Sequence, residues 1–307
     1  MRPDAPWLLA MAVFAALELL WWILAWNHGI APRPRLGTYL LFAGMALAVA
    51  TLLRFAAGAS PWATSPTSAI SATFLVAAAA SLFLPLKYAI PHEVTFWLDR
   101  PLAAAERALF GIDPWLALDR AFGWAAVPMD WLYGAWLPVQ SIILFLVILA
   151  RPSPAKSRAL IAYSAAWFLL GVAAAALFAS AGPLFYDRLL GGTQFAALGQ
   201  TLHQRGVWIA IAESDGMWAS FASGIPGPVA GISAVPSLHV AISLWIWLTA
   251  RTMAPRAAPL AAVYFLLIWV GSVQLGWHYA ADGLAGALGM LAISWLANWR
   301  LAEPLPA

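Results

Sequence analysis

Charge is so sparse along this chain that a water-soluble fold is excluded before any motif is read. Only 9% of its 307 residues are Asp, Glu, Lys or Arg, while 63% are hydrophobic. A soluble domain carries about 25% charged residues. The apolar residues fall in long runs, and a helix crossing a bilayer needs roughly 20 of them. Eight such runs are predicted, at about 7–27, 37–55, 68–87, 130–150, 159–179, 236–253, 258–276 and 279–299. The expected fold class is therefore an all-α integral membrane protein, a polytopic bundle of about eight transmembrane helices.

Prolines and charges mark the gaps between the runs. Arg151-Pro-Ser-Pro-Ala-Lys156-Ser-Arg158 is one short basic loop, and Arg251 to Arg256 is another. Short basic loops favour the cytoplasmic side, which puts both loops and both termini inside. Arg2, Arg54 and Arg300 agree, while Arg33 and Arg35 fall in a short outer loop and disagree. The run from Trp7 to Trp26 has no small-residue cleavage pattern after it and reads as a retained helix. Nineteen tryptophans suit the two membrane interfaces. There is no cysteine for disulfide or thiolate chemistry, and the net charge of +3 is scattered. With no run of Lys and Arg, nucleic acid is not an expected partner; the bilayer is.

Two longer polar segments, about 88–129 and 180–235, are expected on the outer side. In the first, Pro101 suits a helix start and Gly111 a helix stop, so this piece reads as a helix lying along the interface. The second, from Gln194 to Asp215, reads as a lid or a further surface helix. The chain is expected to form a single membrane domain over residues 1–307. Residues 1–90 would be accessory helices, 91–129 an interfacial segment and 130–299 the catalytic bundle.

Only five histidines occur, and two stand at the edges of apolar runs. One lies in Pro236-Ser237-Leu238-His239, the other in Gly276-Trp277-His278-Tyr279-Ala280-Ala281-Asp282-Gly283-Leu284-Ala285-Gly286. Ionisable groups at membrane depth are costly, and a cluster of them is a functional-site hypothesis. His278 and Asp282 are four residues apart, so on a helix they would share a face. A carboxylate there can fix the imidazole tautomer and stabilise its cation. By the eight-helix count, His239, His278 and Asp282 all reach the membrane face opposite the basic loops. The site would then face the non-cytoplasmic side, of the inner membrane in a bacterium.

These motifs resemble the type-2 phosphatidic acid phosphatase (PAP2) superfamily, whose pattern is P-S-x-H followed by H-x-x-x-D. They are closer to its inositol-phosphorylceramide-synthase-like branch, related to sphingomyelin synthases, where the motifs read P-S-L-H and H-Y-x-x-D-x-x-A-G. The resemblance is specific over about residues 180–290 and implies a PAP2-like catalytic core. It implies His278 as the nucleophile on phosphorus, Asp282 as the partner of its other ring nitrogen, and His239 as the acid for the leaving oxygen and base for the acceptor. Ser237, Arg188, Tyr186, Tyr279 and Asp130 are the implied substrate-binding residues. Pro236 is placed in the first helical turn, where free backbone N–H groups can hold phosphate oxygens. An aspartate at a helix start, such as Asp130, is equally a cap. No metal and no cofactor are expected, because the histidines and aspartate are accounted for without one.

Departures from the phosphatase pattern shift the balance within the family. The phosphatases carry K-x6-R-P upstream, but Lys87 has no Arg-Pro at that spacing and Arg100-Pro101 comes too late. Where they carry S-R before the nucleophilic histidine, this chain has Gly271 and Ser272; Leu238 replaces their glycine in P-S-G-H. Replacement cations are Arg188, Arg205 or Lys87, with an interfacial snorkelling role open to each. The leading expectation is a lipid phosphotransferase moving a phospho-headgroup, such as phosphoinositol, from a glycerophospholipid donor to a lipid acceptor such as ceramide. The alternatives are a hydrolase acting on phosphatidate or a polyprenyl diphosphate, and a transporter or scaffold with no activity.

Overall fold

In the computed structural model the described residues are 4–29, 32–60, 63–227 and 231–300, without the side chains of the last two. Arg2 and the side chain of Arg300 lie outside them. Fourteen α-helices are named here in chain order: α1 Ala5–Asn27, α2 Leu36–Ala56, α3 Pro66–Glu93, α4 Asp99–Phe110, α5 Pro114–Phe122, α6 Ala126–Gly134, α7 Trp136–Ile148, α8 Pro154–Leu177, α9 Pro183–Leu190, α10 Ala196–Gln204, α11 Ile209–Ser223, α12 Leu238–Met253, α13 Ala258–Gln274 and α14 Ala280–Arg300. No strand occurs among the described residues, so the all-α class is as expected.

Among the described residues, six helices are long and apolar enough to span a membrane, or seven if the bent pair counts as one span. The sequence-based figure of eight is thus approximate. The run at 130–150 is the second part of that pair, Pro114–Gly134 followed by Trp136–Ile148 at 45°. The run at 236–253 gives α12, only 16 residues long. Its short length fits its position: Val240 to Ile246 are buried all round, as expected of a helix apolar on every side.

Burial separates the bundle into a rim and a core. Only 17% of the apolar stretch of α1 is buried, against 61% for α8. The rim helices present Leu9, Leu24, Leu41 and Leu52 outward, which suits lipid as solvent. The core forms where α12 packs on α8, α13 and α14. Trp245 of α12 donates its indole N–H to the Ala159 carbonyl of α8 at 2.7 Å.

A buried polar knot fixes which helix ends lie together. Lys156 at the start of α8 is fully buried and donates to Asp4 at 3.2 Å and to Thr64 at 3.1 Å. Thr64 in turn donates to Asp4 at 2.8 Å, and the Trp7 indole to Asp4 at 3.0 Å. The starts of α1, α3 and α8 therefore share one face. The end of α3, the start of α12 and the α13–α14 junction belong to the opposite one, along with the α1–α2 loop.

Candidate active site

Two chain reversals bring the motif residues together. Ser237 is the N-cap of α12, its hydroxyl accepting the Val240 N–H at 3.4 Å. Pro236 lies before that cap, not in the first turn as expected. At the other reversal, the His278 N–H donates to the Ser272 carbonyl at 3.0 Å, which folds the chain back before α14 begins at Ala280. His278 and Asp282 therefore do not share a helical face: His278 sits in the turn and Asp282 in the first helical turn. They still meet, with Nδ1 of His278 3.3 Å from Oδ2 of Asp282.

The two reversals are joined main chain to main chain. The Ser237 N–H donates to the Asp282 carbonyl at 3.0 Å. Gly286, one turn along α14, faces the same backbone, and a Cβ there would stand 2.3 Å from the Ser237 carbonyl oxygen. The glycine of the second motif is thus required by the close approach of α14 to the first motif.

The result is a pair of facing imidazoles. The His239 and His278 rings are 6.1 Å apart between centroids. That is too far for a direct hydrogen bond, and near enough for one group between them to touch both. His239 is held from behind by Tyr133 at 4.6 Å and Trp136 at 4.2 Å between ring centroids. Asp282 is fully buried; its Oδ2 also accepts the Tyr279 N–H at 3.0 Å. Burial, and then the Lys87 charge, pull the His278 imidazole down to about 3. A hydrogen bond to the Ala234 backbone opposes that shift without reversing it, so the ring is neutral near pH 7, with Nδ1 facing Asp282.

The structure treats the three candidate cations differently. Arg188 pairs with Asp215 at 2.8 Å, and both side chains are exposed. Arg205 forms a two-pronged pair with Asp119 at 2.9 Å on each arm. Lys87, near the end of α3, has no carboxylate partner among the described residues, and its charge acts on both histidines. Of the three, Lys87 is the one whose charge is felt by both histidines.

Other predicted contacts have different partners. Asp130 accepts the N–H groups of Trp208 at 3.1 Å, Ile209 at 2.8 Å and Ala210 at 2.9 Å. It thus caps α11 from a distant part of the chain, and both its oxygens are occupied. Tyr279 is buried and donates its hydroxyl to Asp99 at 3.1 Å. Tyr186 packs edge-on against Phe195 at 5.1 Å. Ser237 is buried and spends its hydroxyl on the α12 cap. The Tyr133 hydroxyl, buried beside His239, has no partner among the described residues.

Two carboxyls essential to this arrangement escaped the sequence reading. Asp99 and Glu106 lie on α4, where Asp99, Ala103 and Glu106 form a buried face. The helix expected along the interface therefore turns its acids inward. Asp99 accepts from Ser180 Oγ at 3.1 Å, Ala181 N–H at 2.8 Å and Gly182 N–H at 2.9 Å, besides Tyr279. Burial raises its carboxyl, and these donors oppose that shift. Gly182 has φ +88°, and a Cβ there would meet the Trp277 carbonyl at 2.4 Å. Glu106 accepts the Ala281 N–H at 2.8 Å, next to Asp282. Burial, offset by that N–H and reinforced by Asp282, pushes Glu106 up to about 7.

The sign of the Glu106 effect gives a measurable expectation. A carboxyl raised on folding favours the folded state below its unfolded value, and that contribution is lost as pH rises through the folded one. Between about pH 4.5 and 7 the folded state should lose up to about 3 kcal/mol of stability through this group, and the wild-type melting temperature should fall with it. Glu106→Gln should flatten that slope in a thermal-shift series. An unchanged slope would remove Glu106 as its source.

The bundle of apolar helices defines an integral membrane protein. Residues 100–296 match the family model of the PAP2 superfamily, and the chain belongs to that superfamily, which places it among lipid enzymes of the phosphatase and phosphotransferase type. No curated protein and no solved structure matches it.

Proposed function

We propose that this chain is a membrane lipid phosphotransferase working through a phosphohistidine, of the inositol-phosphorylceramide-synthase-like kind. The observation that carries the reading is the facing pair of imidazoles, with Asp282 on Nδ1 of His278. His278 attacks phosphorus and the P–O bond to the leaving alkoxide breaks. His239 supplies the proton that alkoxide needs, then takes one from the acceptor hydroxyl as the acceptor oxygen displaces His278. Lys87 and the first-turn N–H groups of α12 lie where phosphate oxygens would need donors. Asp282 holds the tautomer and balances the imidazolium. Of the predicted binding residues, Tyr186, Arg188 and Ser237 serve as the surrounding wall in this reading, and Asp130 and Tyr279 keep the structural partners described above.

A phosphatase must admit water to the phosphohistidine, whereas a transferase must exclude it and admit a lipid hydroxyl. Leu238 beside His239, and Ser272 turned to the Trp269 carbonyl at 2.7 Å, favour transfer. Lys87 favours the phosphatase alternative, because it restores a cation at the reaction centre. The deciding measurement uses purified protein with labelled phosphatidylinositol, with and without ceramide, followed by a panel of other lipid acceptors. Headgroup lost from the donor should match acceptor-lipid product nearly one for one. Dominant release of free headgroup phosphate across the panel would make hydrolysis of phosphatidate or a polyprenyl diphosphate the better reading.

A further inference from the structure

The α1–α2 loop carries two arginines on the wrong side for the charge rule, and the structure gives them a setting. Arg33 and Arg35 line an open cleft of about 280 Å³ with Leu84, Pro85, Pro226 and Gly227. That volume falls just under the range of small-molecule sites, so the cleft can hold a headgroup and not a whole lipid. Both arginines are exposed, and neither has a carboxylate partner among the described residues. No acidic residue lines the cleft. The loop is pinned: the Trp22 indole donates to the Pro32 carbonyl at 3.0 Å, and Arg33 lies 5.9 Å over the Trp26 ring. Two prolines stiffen it further.

The cleft has the two characters a phospholipid needs. Its upper edge is cationic, and Leu84 and Pro85 of α3 give it an apolar wall. Beside it, α2 presents Leu40, Leu41 and Phe42 outward. It also adjoins the reaction centre along the chain. Lys87 is less than one turn beyond Pro85 on α3. Gly231, four positions after Gly227, lies against α3, where a Cβ would stand 2.5 Å from the Lys87 side chain.

We propose that this cleft docks the phosphate-bearing headgroup of an anionic membrane phospholipid. Arg33 and Arg35 grip the phosphate by charge-assisted hydrogen bonds, and one acyl chain lies along Leu84 toward the bilayer. The cleft then holds a lipid one helical turn from Lys87. Its link to turnover rests on the lipid-substrate reading above; the binding itself does not.

The test uses the full chain in phosphatidylcholine nanodiscs, with a trace of phosphatidylglycerol carrying a photoreactive acyl chain. After illumination, labelled peptides are mapped by mass spectrometry. Label is expected in residues 32–39 and 81–85, and Arg33→Ala with Arg35→Ala should lower it about tenfold. The paired Lys substitutions should retain most of it, showing that a folded chain with the charge suffices. A diacylglycerol carrying the same photoreactive chain should label these peptides poorly, and millimolar inorganic phosphate should not compete. Equal labelling of the double Ala variant, equal labelling by diacylglycerol, or displacement by phosphate would overturn the proposal. His278→Ala should label like wild type. Capture without turnover would therefore count against the transferase reading alone, and turnover without capture against the docking site alone.

Discussion

A donor lipid labelled at phosphorus is expected to leave acid-labile, base-stable label on the wild-type chain and none on His278→Ala. The expectation follows from the neutrality and reach of that side chain. Burial keeps the His278 imidazole unprotonated, so it needs no activation by proton loss before attack. With Nδ1 facing Asp282, Nε2 is the nitrogen assigned to attack in the proposed reaction, and the His239 ring lies across a gap of 6.1 Å between centroids. Removing the ring takes away the side chain that forms the P–N bond in the proposed reaction and is then expelled from it. His239→Ala should differ in kind. Its loss slows both half-reactions, yet leaves the nucleophile, so slow labelling persists with a donor whose leaving group needs no proton. Label surviving in His278→Ala would remove His278 from the role and direct attention to His239.

Asp282→Asn is expected to lower turnover by about 10⁴-fold with little change in donor KM, by the tautomer argument that applies to a triad aspartate. The amide is nearly isosteric, so the Tyr279 N–H keeps an acceptor and α14 still starts at the same place. What disappears is the charge that favours imidazolium and the acceptor that holds the proton on Nδ1. Reversal of the amide would even present a donor to Nδ1, leaving the proton on the nitrogen that must attack. Rapid-quench measurement of phosphoenzyme formation separates this from slow product release. Near-wild-type turnover, in a variant whose melting temperature is unchanged, would show that Asp282 only caps α14.

The motifs were legible because their signals are local. Pro-Ser-Leu-His and His-Tyr-Ala-Ala-Asp each mark where an apolar run meets the interface, and their types alone suggest the chemistry. The long runs were equally plain, except where length and burial part company, as in the short, enclosed α12. What stayed hidden depends on contacts between distant residues. Asp130 has the local pattern of a cap for its own helix, yet it caps α11. Asp99 meets Tyr279 across nearly the whole catalytic region. Its seven-residue spacing from Glu106 was visible and does place both acids on one helical face. Acids on an amphipathic helix ordinarily face water, so the pattern by itself pointed outward. Lys87 lacks its usual companions in the local sequence, and its influence on the two histidines comes only from the packing of α3.

The hydrogen bond from the Ser237 amide to the Asp282 carbonyl, closed over by Gly286, has a consequence for how such a molecule can diversify. It works as a fixed jaw: the approach of the two reversals is set by peptide units, and a side chain at Gly286 is what would force them apart. The helices α9 to α11 meet it through the Leu184 N–H to the Gly276 carbonyl at 3.0 Å and through side-chain packing, with Phe185 against Trp277 and Leu198 against Gly276. Selectivity for one lipid over another can therefore drift through those helices while the approach of the two reversals stays constant. Chemistry and choice of substrate are separately inherited parts of the same small bundle.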